Sequence, residues 1–234
     1  MNILYLHGLG GGSTSRVPNR LRTELSRMHF TKEGEPIEFN VICETYDFDP
    51  EVASRQIAQW VEAYHLDLVI GESMGSIHAL GIKGVPHIYI SPALNFDRGT
   101  EMARPVYAVA NALGINLVPK PRGPKRQVLL GEPELLAKFK PMIQSYKEAI
   151  LSSSQRDLSF AFFGNKDQYM LPGIVSLKEY ERLFGKTYEV HEGGHIFGVS
   201  YVKPKLIPKI VEMLRLEMVR VPCGYRKQHK ISVK

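Results

Sequence analysis

The sequence predicts a three-layer α/β domain, in which a mostly parallel sheet of about six strands lies between layers of helices. Short apolar runs alternate with amphipathic helical patterns along most of the 234 residues, as expected for a parallel sheet. The run 66–70 is almost continuously apolar, which is typical of a strand covered on both faces. The length and the 44% hydrophobic content suit a single globular domain.

The first strand is predicted at 2–6, followed by a Gly/Ser loop and an amphipathic helix at about 16–28. A second strand is predicted at 39–46. Asp49 as N-cap and Pro50 at the first helical position then predict a helix that runs to about residue 65. The remaining strands are predicted at 66–70, 87–90, 158–163 and 187–190, and the remaining helices at 76–82, 175–184 and 205–216.

One segment interrupts this alternation. Residues 93–157 contain helical patterns and Pro/Gly-rich links but no convincing strand, and they lie between the predicted fourth and fifth strands. We therefore expect a helical cap inserted there. Residues 217–234 are predicted as a basic tail, so the chain is organised as a single domain over 1–234 with one insertion and one tail.

The net charge of +6 makes nucleic acid a partner to consider, so the position of the charge matters. Residues 118–130 contain four basic residues and no acid, and residues 214–234 contain six basic residues and one acid. A protein that neutralises many phosphates usually has a broader basic footprint. Nucleic acid is therefore not a predicted partner.

The cysteines and the N-terminus predict a cytoplasmic protein. Cys43 and Cys223 are far apart and have no metal or redox spacing. The first residues lack the basic and long apolar regions of a signal peptide. The longest mostly apolar stretch, 106–118, is shorter than the ~20 residues of a membrane span, so no membrane partner is expected. The sequence does not predict the oligomeric state.

A candidate nucleophile lies in Gly71-Glu72-Ser73-Met74-Gly75, which has the pattern Gly-x-Ser-x-Gly between a predicted strand and a predicted helix. In this setting a sharp turn exposes the serine hydroxyl at the carboxyl end of the strand, and the flanking glycines avoid Cβ clashes. An ordinary glycine-rich turn is the alternative. The strand before the motif and the helix after it favour Ser73 as a nucleophile.

A serine hydroxyl needs a base to take its proton, and histidine suits neutral pH. On this architecture the order along the chain is Ser, then Asp or Glu, then His. Asp167 follows the fifth predicted strand and is the expected acid. Two histidines compete as the base: His191 ends the last strand, whereas His195 follows a Gly-Gly loop and can reach Ser73. We predict His195, with His191 as the alternative.

A glycine-rich loop, His7-Gly8-Leu9-Gly10-Gly11-Gly12, follows the first strand. Acyl transfer passes through a tetrahedral oxyanion, and backbone N–H groups aimed at it lower the barrier by about 3 kcal/mol each. Leu9 and Met74 are predicted to form this oxyanion hole, with Gly10 as an alternative to Leu9. A phosphate-binding loop is less favoured, because the spacing fits neither common nucleotide motif.

Together these motifs resemble the α/β-hydrolase superfamily over about 1–216. Within it, the chain is similar to the small YqiA-type bacterial esterases in the Leu6-His7-Gly8 start, the Ser-x-Ser-basic pattern at 13–16 and Pro92-Ala93. Glu72 departs from that group, which tends to have Ser there, and the insertion and tail look longer. The resemblance implies an α/β-hydrolase fold and a hydrolase of esters or thioesters, with the matching residues Ser73, Asp167 and His195.

The predicted activity is hydrolysis of a small-molecule carboxylic ester or thioester through an acyl-enzyme on Ser73. No cofactor is expected, and no metal, because no His or Cys pair has ligand spacing on one helix. Two alternatives stay open: a peptidase or amidase on the same triad, and a non-catalytic binding protein on a hydrolase scaffold. Four apolar residues near the expected site could form an acyl pocket, although residues of this kind are more often plain core or pocket wall: Tyr169, Met170, Leu171 and Phe197.

Overall fold

The computed structural model of the protein describes residues 1–121 and 123–219. The strands are β1 (Asn2–Leu6), β2 (His29–Lys32), β3 (Glu35–Ile37), β4 (Asn40–Ile42), β5 (Leu68–Glu72), β6 (His87–Ile90), β7 (Ser159–Gly164), β8 (Tyr188–His191) and β9 (Glu217–Val219). The helices are α1 (Arg16–Leu25), α2 (Pro50–Ala63), α3 (Gly75–Ala79), α4 (Phe96–Ala112), α5 (Pro133–Ala137), α6 (Phe139–Leu151), α7 (Leu177–Phe184) and α8 (Ile207–Leu214). Within the described ranges, no helix has the length and apolar character needed to cross a membrane.

The larger sheet contains six strands in the order β4-β1-β5-β6-β7-β8, and every neighbouring pair is parallel. The register places Leu6 beside Gly71, and Gly164 beside His191. The carboxyl ends of these strands therefore meet at one edge, where the loops that follow them come together. The predicted sheet of about six mostly parallel strands, flanked by helices, is confirmed.

Helices cover both faces of this sheet. Leu4 and Leu6 of β1 pack with residues of α2, α3, α6 and α7, whereas Ile3 and Tyr5 pack on the other face with α1 and α8. Successive side chains of a strand point to opposite faces, so a strand buried on both faces must be apolar at nearly every position. All four residues are fully buried. This accounts for the continuous apolar runs and for the three layers.

Helices α4, α5 and α6 lie between β6 and β7, the fourth and fifth strands of the larger sheet in chain order. Helix α6 packs into the core through Phe139 and Ile143. Part of the segment 93–157 that was predicted as a cap is therefore a layer of the domain itself. Helix α4 is mostly exposed and buries only Thr100 and Ala110. Its role as a cap stays a prediction.

The sequence analysis did not predict the second sheet, whose antiparallel strands have the order β3-β2-β9. Strands β2 and β3 form a hairpin with a two-residue turn at Glu33 and Gly34, both of which have positive φ. Such turns match the right-handed twist of the two strands. Strand β9 pairs with β2 where the basic tail was predicted to begin, and residues 220–234 of that tail lie outside the described residues.

Candidate active site

The turn after β5 presents Ser73 at the carboxyl edge of the larger sheet. Ser73 has a φ of 51°, a left-handed conformation that non-glycine residues adopt rarely and that recurs at functional sites. Its amide donates to the carbonyl of Ile90 at 2.8 Å, which ties the turn to β6. Helix α3 begins two residues later. Strand, sharp turn and helix therefore follow one another around the serine.

The two glycines of the motif are required by close approach of other backbone atoms. A Cβ on Gly75 would lie 2.2 Å from the carbonyl oxygen of Leu6, and a Cβ on Gly71 would lie 2.8 Å from the Cα of Ser76. Both distances are shorter than real atoms allow, and backbone atoms cannot move aside easily. The missing Cβ of Gly75 lets the turn pack directly against the end of β1, and the missing Cβ of Gly71 lets α3 pack against β5.

His195 lies between Ser73 and Asp167 and contacts both. Its Nε2 is 2.7 Å from Ser73 Oγ, and its Nδ1 is 2.8 Å from Asp167 Oδ2. If Nδ1–H donates to the carboxylate, Nε2 is left to accept the hydroxyl proton of Ser73. The structure thus brings together three side chains that the sequence analysis selected from separate stretches. This is the arrangement that activation of a serine by a base requires.

The Asp167 carboxylate is held by its own loop. Its side chain is fully buried, and Oδ1 accepts the amide of Tyr169 at 2.9 Å while Oδ2 faces His195. The Tyr169 ring packs edge-on against His195, with ring centroids 4.6 Å apart. The Lys166 amide donates to the Gly193 carbonyl at 2.8 Å, which joins the two loops. Backbone and side-chain contacts together fix the carboxylate relative to the imidazole.

His191, the alternative base, faces the core. It is buried, and its ring packs against Phe197 and Tyr201 at centroid distances of 5.3 and 4.7 Å. Its Nδ1 is 3.1 Å from the carbonyl oxygen of Glu192. Of the two histidines, His195 is the one that contacts Ser73.

The glycine-rich loop lies against the serine, since a Cβ on Gly8 would be 3.1 Å from the Ser73 Cβ. Several amides of this loop are already engaged. The Gly10 N–H donates to Gln127 Oε1 at 3.1 Å, and the Gly11 N–H donates to the Gly8 carbonyl at 2.9 Å. These bonds hold the loop in one conformation and leave few of its amides free to bind a phosphate. A phosphate-binding loop was also the less favoured interpretation of the sequence.

The amides of Leu9 and Met74 are the groups predicted to hold an oxyanion. In residues 1–121 and 123–219, neither amide donates to an acceptor of the protein. The Gly10 amide, the alternative to Leu9, is committed to Gln127. An uncommitted backbone N–H beside a nucleophile is what a developing oxyanion needs. The assignment of Leu9 and Met74 to this role stays a prediction.

Gln127 is a site residue that the sequence analysis missed. Its buried side chain accepts the Gly10 N–H and donates to the carbonyls of Tyr46 at 3.3 Å and Asp47 at 3.1 Å. Its backbone N–H donates to the Gly11 carbonyl at 2.7 Å. Gln127 comes from the segment inserted between β6 and β7 and clamps the glycine-rich loop from that side. No motif marks it, and it lies in the basic stretch 118–130, in which the sequence analysis identified no site residue.

Two buried histidines lie under the glycine-rich loop. Burial lowers the pKa of His7 to about 4 and the pKa of His78 to about 3. The ring of Tyr46 contacts both, with centroids 4.2 Å from His7 and 5.0 Å from His78. Both imidazoles are therefore neutral near pH 7 and support the loop by packing, without adding charge to the site.

Glu72, inside the motif, is directed toward β1. Its Oε2 accepts the hydroxyl of Tyr5 at 2.8 Å, and burial raises the pKa of this carboxyl. Tyr5 packs on the face covered by α1 and α8. Across the part of the chain that the structure describes, no group of three or more His, Cys, Asp or Glu side chains could hold a metal ion.

No protein-family model matches the chain, and no curated protein matches it. Solved structures do resemble it. A protein of Agrobacterium vitis described as a hydrolase is 14% identical, with a TM-score of 0.54 over 92% of this chain and 86% of the other. An extracellular α/β-hydrolase of a Paenibacillus species is 10% identical, with a TM-score of 0.51 over 91% and 98%. The proline iminopeptidase-related protein of Thermus thermophilus is 13% identical, with a TM-score of 0.50 over 91% and 89%.

These likenesses concern the fold, because a shared fold at such low identity does not carry an activity from one protein to another. The narrower similarity to the YqiA-type esterases rests on the sequence motifs and stays a prediction. Sheet order, helical layers and the matched structures agree on one architecture: the chain has the α/β-hydrolase fold.

Proposed function

We propose that the protein is a serine hydrolase that cleaves carboxylic esters or thioesters. The observation that carries the proposal is the pair of contacts made by His195, 2.7 Å to Ser73 Oγ and 2.8 Å to Asp167 Oδ2. A hydroxyl, an imidazole and a buried carboxylate in this sequence of contacts form the constellation that activates serine for acyl transfer. The strained backbone at Ser73 supports the same role.

In the first half of the proposed reaction, Ser73 Oγ attacks the acyl carbonyl carbon and His195 Nε2 takes the hydroxyl proton. The carbonyl oxygen becomes an oxyanion, which the amides of Leu9 and Met74 stabilise. Asp167 orients the imidazole and stabilises its protonated form. The tetrahedral species then collapses, the bond to the alcohol or thiol breaks, and His195 gives its proton to that leaving group.

In the second half, water attacks the acyl-enzyme while His195 takes a proton from it. A second oxyanion forms in the same place and collapses to release the carboxylic acid, and His195 returns the proton to Ser73 Oγ. Every proton moves through one imidazole, so this route needs no group beyond the residues described and a water molecule.

Exposed aliphatic side chains favour an apolar acyl group. Leu9, Leu171 and Ile196 are 49%, 96% and 81% exposed, and they lie on the loops that carry the oxyanion amide, the acid and the base. Large apolar side chains exposed on the loops that form a site favour contact with an apolar ligand. Phe197, one of the four candidates for an acyl pocket, is instead buried in the core against Phe162, which is the alternative that the sequence favoured for these residues.

The test measures turnover of p-nitrophenyl acyl esters and labelling by a fluorophosphonate probe. Ser73→Ala is expected to abolish labelling and to lower kcat by about 10⁴-fold or more. His195→Asn should have a similar effect. His191 is a buried histidine at the end of β8 that does not contact Ser73, so His191→Asn should retain labelling if it folds. Undiminished turnover by Ser73→Ala would refute the proposal. Turnover of peptide amides without turnover of esters would favour the amidase alternative.

A further inference from the structure

Helix α4 presents an apolar stripe to solvent. The stripe consists of Met102, Val106, Val109 and Leu113. Spacings of four, three and four residues align these side chains along one side of the helix. All four residues are between 57% and 68% exposed. A helix normally turns its apolar side toward the core. Helix α4 packs Phe96, Ala103 and Tyr107 against the core, and the stripe is a second apolar side that stays uncovered.

The exposed apolar surface continues past the helix through Ile115, Leu117 and Val128. Of the 16 large hydrophobic residues that are exposed in the described part of the chain, seven lie between residues 102 and 128. Single exposed apolar residues need no explanation, but a concentration of this kind marks an interaction surface. We call the described residues 98–121 and 123–128 the surface segment. A cleft of about 530 Å³ is lined by residues of this segment and by the residues that follow it, and its walls include Ile115 and Leu129.

The surface segment is also basic. No acid lies between Glu101 and Glu132 in the sequence, and Glu101 is paired with Lys140 at 2.6 Å. The segment's exposed cations are Arg98, Arg104, Lys120 and Lys125. Among the residues that the structure describes, these four make no ion pair within 4.0 Å. Arg98 lies four residues before Met102 and is in line with the stripe, and Lys120 lines the cleft together with Ile115. Apolar side chains and unpaired cations therefore meet at both ends of this surface, whereas Arg104 lies on the opposite side of α4.

We infer that the surface segment binds the surface of an anionic lipid bilayer. An amphipathic helix with an apolar side and nearby cations inserts its apolar side at the headgroup boundary, while the cations meet the lipid charges. A second copy of this chain is a poorer occupant, because a symmetric contact would bring the same unpaired cations together, and the segment's one acid, Glu101, is already paired with Lys140. The prediction of no membrane partner considered only a spanning segment, and a surface contact needs none.

The position of the surface segment links this binding to the site. Its Gln127 clamps the glycine-rich loop, and Arg126 forms a β-bridge with Gly12. A lipid surface that holds this segment would therefore lie against the part of the molecule that supports the oxyanion loop. If the proposed function holds, on which this step rests, the substrate class is an acyl ester of an anionic amphiphile.

The experiment is co-sedimentation of the full chain with vesicles, performed with Ser73→Ala so that no turnover intervenes. One set of vesicles is phosphatidylcholine alone, and the other contains about one third phosphatidylglycerol. We expect binding to the anionic vesicles, weaker binding to phosphatidylcholine, and loss of binding as salt is raised. Val106→Ser/Val109→Ser should lower the partition coefficient about tenfold. Lys120→Gln/Lys125→Gln should reduce the preference for anionic vesicles.

The matched control is Val190→Ser/Val199→Ser, which makes the same change at residues that are 46% and 43% exposed outside the surface segment. It should bind vesicles like the parent. Equal binding by Val106→Ser/Val109→Ser and the parent would overturn the inference, as would equal binding to both vesicle types. Sedimentation equilibrium adds a further outcome. If the parent did not bind vesicles but formed a dimer that Val106→Ser/Val109→Ser dissociated, the partner of the surface segment would be a second copy of the chain and not a lipid surface. Because binding is measured without turnover, a failure of the esterase assay leaves this result unaffected.

Discussion

Replacing Gln127 by leucine should lower catalysis without touching any group that reacts. The side chain accepts the Gly10 N–H and donates to the carbonyls of Tyr46 and Asp47. Leucine fills much of the same volume but makes none of these hydrogen bonds. The glycine-rich loop then loses the contact that fixes Gly10, one residue from the Leu9 amide that we assign to the oxyanion hole.

The size of the effect follows from the three bonds. A net hydrogen bond contributes about 0.5–1.5 kcal/mol, and leaving a buried partner unpaired costs about 1–3 kcal/mol. We expect the free energy of unfolding to fall by about 2–4 kcal/mol. Loss of a whole oxyanion donor lowers kcat by about 10²–10³-fold. Because Leu9 keeps its amide and loses only its support, kcat should fall by about 10- to 100-fold, with KM nearly unchanged.

Gln155→Leu is the matched control. Gln155 is equally buried; it accepts the Gly84 N–H at 3.0 Å and donates to the Val85 carbonyl at 2.7 Å, at the opposite end of β6 from the site. Both variants should lose comparable stability, measured by urea unfolding. Kinetics on a short soluble ester, at a temperature where both are folded, should show the drop in kcat for Gln127→Leu only. Equal kcat values in the two variants would refute the positioning role of Gln127.

Two further predictions concern folding. Gly75→Ala would place a Cβ 2.2 Å from the Leu6 carbonyl oxygen, so we expect a loss of about 3 kcal/mol or more in urea unfolding, or no soluble protein; stability equal to the parent would contradict the close approach. Burial lowers the pKa values of His7, His78 and His87 to about 4, 3 and 4, below the ordinary 6.5. The unfolded chain therefore binds more protons between pH 6.5 and 4, and stability should fall with falling pH in that window by up to about 4 kcal/mol per pH unit. His78→Asn should remove the contribution of one of these three protons from the slope of stability against pH. A slope equal to that of the parent would show that His78 does not titrate as described.

The parts of the site that could be predicted are those adjacent in sequence to strand ends. Ser73, Asp167 and His195 each follow a strand of the larger sheet, and parallel strands bring their carboxyl ends to one edge. Periodicity located the strands, and the Gly-Gly loop before His195 separated it from His191, which ends its strand. The glycine spacing around Ser73 was informative because the turn excludes a Cβ at both flanking positions.

The parts that could not be predicted depend on contacts between distant segments. Strand β9 forms by pairing with β2, almost 190 residues earlier, and its three residues are too few to give a strand pattern of their own. The hairpin of β2 and β3 did leave a local signal, since Glu33-Gly34 suits a two-residue turn. Predicted helix ends also differ, as α1 ends at Leu25 and not at Met28. Gln127 left no signal, because its partners lie on the glycine-rich loop and in the loop after β4.

The segment between β6 and β7 therefore has two sides, one buried and hydrogen-bonded and the other exposed and apolar. Its inner side, represented by Gln127, is buried and makes directional hydrogen bonds to the glycine-rich loop. Its outer side, represented by Val106 and Val109, is exposed and makes no such bonds. Because the two sides share a backbone but no partner, their substitutions should separate: Gln127→Leu should change kcat on a soluble ester and leave vesicle binding intact, and Val106→Ser/Val109→Ser should do the reverse. If each variant changed both properties, the segment would move as one unit, and docking of its outer side would itself set the position of the oxyanion loop.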